Sequence, residues 1–86
     1  MKSYRIFTEN KNKTEVIQLT GAIFDGFTIV EALGYWQGKA EDSLIIEVVT
    51  EHSDLVDALA KAILVANEQQ AVLIVDGSGD GRLINA

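Results

Sequence analysis

Gly34-Tyr35-Trp36-Gln37-Gly38-Lys39-Ala40-Glu41-Asp42-Ser43 runs directly into Leu44-Ile45-Ile46-Glu47-Val48-Val49. Two large aromatics beside glycines, then a carboxylate pair, then an almost wholly apolar segment form the pattern of a hairpin feeding a buried strand. Side chains alternate along a strand, so Leu44, Ile46 and Val48 point one way and Ile45, Glu47 and Val49 the other. Apart from Glu47 both faces are apolar, which predicts that the strand Ser43–Thr50 is central in its sheet. The only Trp and one of the two Tyr fall at the hairpin tip, where burial inside one small domain is hard to arrange. Aromatic faces and carboxylates there suit a flat cationic or purine-bearing ligand, or a neighbouring subunit. A plain hairpin with a packed aromatic pair is the alternative.

Upstream, Tyr4–Thr8 reads as a strand rich in aromatic and β-branched residues. Asn12 and Glu15 have capping-box spacing, after which Val16, Leu19 and Ile23 share a helical face until Asp25-Gly26 stops the helix. Phe27–Tyr35 alternates as a strand, with Phe27, Ile29, Leu33 and Tyr35 on one side and Glu31 interrupting it at an edge or a pocket. Downstream, Ser53 is placed to cap a second helix, with Asp54 and Asp57 complementing its dipole. Leu55, Ala58, Leu59, Ala62, Ile63 and Ala66 give that helix a core-facing stripe. Asn67–Gln70 reads as a solvated polar exit, Ala71–Val75 as another buried strand, and Arg82–Asn85 as a short edge strand after a Gly-rich turn.

The order βαββαβ plus one short strand predicts an α+β fold, a ferredoxin-like sandwich spanning residues 1–86 as one domain. Both helices then cover one sheet face. The other face is apolar and uncovered, and three copies packing their sheets around a common axis would cover it. With 86 residues, 48% of them hydrophobic, and no cysteine to staple the fold, oligomerisation is the natural remedy. A net charge of −6 repels phosphate backbones and favours a cationic ligand. The expectation is a small-molecule-binding homotrimer with no nucleic-acid or membrane partner. Without an apolar leader or a spanning segment, a cytoplasmic location is expected.

At this point the hairpin, the strand after it, Ser53–Ala66 and Gln69-Gln70-Ala71-Val72-Leu73-Ile74-Val75 together resemble trimeric ferredoxin-like proteins of the PII and CutA type. The aromatic-Trp-x-Gly-Lys-x-Glu hairpin is CutA-like, and the CutA-like match covers about half the chain, but CutA's cysteine-bearing segment has no counterpart. Residues 27–85 more closely resemble the bacteriophage S-adenosylmethionine lyase family, as scattered identities. That resemblance implies trimers with ligand sites between subunits. It also implies cleavage of S-adenosylmethionine to methylthioadenosine and homoserine lactone, which disarms host restriction and methylation. By position it assigns Tyr35 or Trp36 to the family's active-site tyrosine and Glu41 to its essential glutamate, with Asp76 near other polar contacts. The hairpin here is shorter and Tyr35 is followed by Trp, so catalysis can be lost with binding kept. The alternatives are a non-catalytic PII/CutA-like trimer binding a nucleotide or adenosyl ligand, and a host-directed protein–protein inhibitor.

Other motifs carry less chemistry. Glu47 in its apolar strand calls for an ion pair with Lys or Arg, or else is a pocket carboxylate and ligand contact. Asp76, Ser78, Asp80 and Gly81 imitate the start of a calcium loop, but the flanking segments lack a helical pattern. The same glycines lack the Lys-Ser/Thr of a phosphate loop. His52 is the only histidine and reads as a capping or surface group. No cysteine or nucleophile elbow is present, and neither a cofactor nor a metal is expected.

Overall fold

A computed structural model describes residues Met1–Ala86. Its elements are β1 (Lys2–Glu9), α1 (Lys13–Ile23), β2 (Thr28–Trp36), β3 (Lys39–Thr50), α2 (Ser53–Asn67), β4 (Ala71–Asp76) and β5 (Gly81–Asn85). The strands form one sheet in the order β2-β3-β1-β4-β5, with all neighbours antiparallel. This is the ferredoxin-like arrangement with β5 added at one edge. β3 lies inside the sheet, as its apolar character requires, although β1 occupies the centre and β3 is next to the edge strand β2.

The hairpin is longer and more regular than its two glycines suggest. Trp36 pairs with Lys39, leaving a two-residue turn of Gln37 and Gly38. Both have positive φ, at 51° and 78°, the condition for a turn whose twist matches its strands. Gly34 is no part of this turn. It sits within β2 opposite Glu41, where an added Cβ would lie 2.8 Å from the Ser43 hydroxyl oxygen. β3 therefore starts at Lys39 rather than Ser43.

Tyr4, Ile6 and Thr8 of β1, Leu44, Ile46, Val48 and Thr50 of β3, and Val72 and Ile74 of β4 point toward the helices and are buried. Val16 of α1 joins them, with Leu19 and Ile23 packed alongside. In α2 the buried set is Val56, Leu59, Ala60, Ile63, Leu64 and Asn67. Compared with the stripe expected from sequence, the helix is turned by one residue, leaving Ala58 exposed. The rotation hides Val56 and Leu64 in place of alanines, removing more apolar surface from water.

The helix starts also differ from expectation. Asn12 makes no capping bond; its backbone is left-handed at φ 51°, and its side chain reaches the end of α2 instead. Ser53 is the first helical residue rather than the cap, and His52 occupies the cap position without a side-chain bond. The Thr50 hydroxyl accepts from His52 N at 3.1 Å, fixing the approach to α2.

The opposite sheet face has no helix. Across its middle, Val30, Ile45, Phe7, Leu73 and Leu83 stand in register, one from each of the five strands. The outer members Val30 and Leu83 are 42% and 57% exposed. The next row brings Glu47 opposite Arg5, but no ion pair closes; Arg5 lies 5.6 Å from the Phe7 ring centroid, in cation–π range. Glu31, on the helix side of the edge strand β2, pairs with Lys13.

Candidate functional site

β2 and β3 continue past the apolar row as a two-stranded arm. On the open face of that arm stand Trp36 and Glu41, on neighbouring strands and offset by two positions, since Trp36 pairs with Lys39 and Gly34 with Glu41. Such diagonal neighbours are close enough for an aromatic and a long side chain to share a ligand. They form one wall of a cleft of about 600 Å³. The other wall comes from Phe7 and Glu9 at the end of β1, Gln69 and Gln70 after α2, and Asn85 of β5. This volume lies within the range of small-molecule sites.

Three carboxylates line the cleft, those of Glu9, Glu41 and Glu68, and no Lys or Arg does. Trp36 is 67% exposed, so its ring face is available. An aromatic face flanked by carboxylates favours a ligand with a positive centre and an apolar body.

The other residues singled out by sequence stand elsewhere. Tyr35 follows the strand alternation onto the helix-side face of the arm and is 71% exposed. Glu47 is on the open face, exposed, two rows of the sheet from Ser43 and outside the cleft. Asp76 stabilises the β4–β5 turn: its Oδ1 accepts from Ser78 N at 2.9 Å and Asp80 N at 3.1 Å. It borders a separate hollow of about 250 Å³ with Lys2 and Ser3. Trp36 and Glu41 are thus brought together, while Tyr35, Glu47 and Asp76 are not.

Sequence reasoning missed the far wall. Asn67–Gln70 was expected to be solvated, yet Asn67 and Gln69 are only 2% and 7% exposed. Gln69 Oε1 accepts from the Thr8 hydroxyl and, at 2.7 Å, from Asn67 Nδ2. Gln69 Nε2 donates to the Ala71 carbonyl at 3.2 Å. Lys11 Nζ donates to the Asn67 carbonyl at 2.9 Å. Two signals pointed there: Thr8 continues the inward alternation Tyr4, Ile6, and Asn67 follows Ile63 by four positions on the apolar face of α2. Polar groups on buried faces must find partners.

No protein-family model and no curated protein sequence matches the chain. Solved structures match its fold. A phage S-adenosylmethionine lyase in the apo state superposes with a TM-score of 0.80 at 22% identity, covering 99% of this chain and 89% of that one. CPII from Thiomonas intermedia, a nitrogen regulatory PII-like protein bound to ADP, AMP and bicarbonate, gives 0.63 at 17% identity, covering 99% and 92%. CutA from Synechococcus elongatus gives 0.50 at 15% identity, covering 99% and 76%. No helix is long and apolar enough to cross a membrane. The chain has the ferredoxin-like fold shared by PII-type, CutA and phage S-adenosylmethionine lyase structures.

Proposed function

We propose that this protein binds S-adenosylmethionine in the open-face cleft and cleaves it to methylthioadenosine and homoserine lactone. The observation that carries the reading is the pairing of Trp36 and Glu41 in a cleft lined by carboxylates without a single base. A nucleoside polyphosphate would meet repulsion there, whereas a sulfonium and an α-ammonium are attracted.

The reaction asks mainly for orientation. The substrate's carboxylate oxygen attacks its own γ-carbon, forming the lactone C–O bond as the C–S bond breaks. The bonding pair passes to sulfur, the sulfonium becomes a neutral thioether, and no proton transfer is needed. Holding the cyclising conformer supplies the catalysis. Glu41 anchors the ammonium or faces the sulfonium, and Trp36 stacks on adenine or faces the cation.

Tyr35, Asp76 and Glu47 stand outside the cleft of one copy. In the homotrimer we propose, they join a site only from a neighbouring subunit, with Tyr35 the catalytic partner of Glu41. The uncovered apolar row supports that assembly. In a host cytoplasm the reaction would remove the methyl donor used by restriction and methylation systems.

Incubation with S-adenosylmethionine followed by chromatography tests the reading. Methylthioadenosine and homoserine lactone are expected in equal amounts; an unchanged substrate excludes lyase activity. A second reading, a non-catalytic PII-type binder of an adenosyl ligand, draws support from the position of Tyr35 on the face away from Glu41. Unchanged substrate together with ligand-dependent thermal stabilisation would favour it.

A further inference from the structure

We infer that the relay of buried Thr8, Gln69 and Asn67, continued at the surface by Asn12, sets the width of the cleft, making Thr8 and Gln69 positioning residues for the groups that meet the ligand. The inference rests on the reading of the cleft as the ligand site. Thr8 and Gln69 belong to both places: they are buried, yet they line the cleft. The Gln69 amide oxygen takes the Thr8 hydroxyl and Asn67 Nδ2, and its amide nitrogen is directed at the Ala71 carbonyl. Asn67 Oδ1 in turn accepts from Asn12 Nδ2 at 3.4 Å, and Asn12 Nδ2 also reaches the Ala66 carbonyl at 3.3 Å. The relay joins the end of β1 and its following loop, the last turn of α2 and the start of β4.

Apolar side chains at these positions would fill the same space and allow the segments to slide. Hydrogen bonds between buried amides and hydroxyls fix direction as well as distance, and a buried polar group stabilises only when satisfied. Every buried side-chain polar atom here has a partner. Phe7 and Glu9 flank Thr8 and line the cleft with it, as Gln70 and Ala71 do after Gln69. The wall facing Trp36 and Glu41 is therefore attached to the relay.

Thr20 supplies an internal control. It is likewise buried, its hydroxyl donates to the Val16 carbonyl at 2.8 Å, and unlike Thr8 it lies outside the cleft. Thr8→Val and Thr20→Val each delete one buried hydroxyl with little change of shape. In ligand-free 1H–15N spectra, Thr8→Val is expected to move the Trp36 indole and Asn85 amide signals, both remote from Thr8 in sequence. Thr20→Val and Thr8→Ser, which keeps the donor, should leave them in place. Titration with S-adenosylmethionine, followed by Trp36 emission, should show affinity weakened about fivefold in Thr8→Val alone, the worth of one hydrogen bond.

If Thr8→Val leaves both signals at their wild-type positions, or Thr20→Val moves them equally, the relay has no positioning role. Should Thr8→Val fail to fold, Gln69→Asn, which keeps the amide but shortens its reach, serves for the same comparison. If the wild type takes up no S-adenosylmethionine, the lyase reading fails while the ligand-free spectra still decide the relay.

Discussion

Glu41 faces the cleft and Asp42 does not because successive strand residues point to opposite sides of the sheet. Glu41→Gln should therefore lower S-adenosylmethionine turnover about a hundredfold, as loss of one preorganised electrostatic contact does. Circular dichroism and sizing should remain unchanged; steady-state assay of methylthioadenosine provides the check. Gly38 has φ of 78°, and Gly38→Ala should cost about 1 kcal/mol in chemical denaturation, because a Cβ is strained in that conformation. Both residues were legible in the sequence, since an aromatic hairpin with a following carboxylate announces itself. The face of the aromatics was not: Tyr35 and Trp36 are adjacent, so a strand sends one to each side, and only the register decides which reaches Glu41. Gly34 has a role no local pattern encodes, which is to make room for the Ser43 side chain across the hairpin.

At the scale of the element, α2 carries the clearest stability test. Leu59 is fully buried and Ala58 exposed. Leu59→Ala should cost about 3 kcal/mol by urea denaturation, whereas Ala58→Ser should stay within about 0.5 kcal/mol. The helix itself follows from its 3.6-residue periodicity, but its rotation does not. Leu59 and Ile63 belong to both possible stripes, and the larger neighbours Val56 and Leu64 decide between them. Caps were less legible because Asn12 and Ser53 can bond locally or at long range. Asn12 spends its side chain on α2, 54 and 55 residues away, a use that no local pattern encodes. The polar exit of α2 was misread for the same reason: Gln69 finds Thr8 only after the sheet has formed.

For the whole molecule, strand order and the bare sheet face were legible because Ser43–Thr50 is apolar on both sides and only two helices are available to cover them. The cleft was not, since its walls come from four separate stretches of chain meeting at one end of the sheet. The five-residue apolar row predicts self-association. Sedimentation should give a trimer at micromolar concentration, and Phe7→Glu, placing a charge at the middle of the row, should shift it to monomer with the fold retained. A wild type that sediments as a monomer would remove the intersubunit role proposed for Tyr35.

Selection of an adenosyl cation by the acidic, aromatic cleft is the proposal on which the others depend. It is tested most directly by titrating S-adenosylmethionine and ATP separately into the native protein while following the emission of Trp36, the only tryptophan. A saturable change is expected with S-adenosylmethionine and none with ATP at the same concentration. Saturation by ATP, with no response to S-adenosylmethionine, would contradict it.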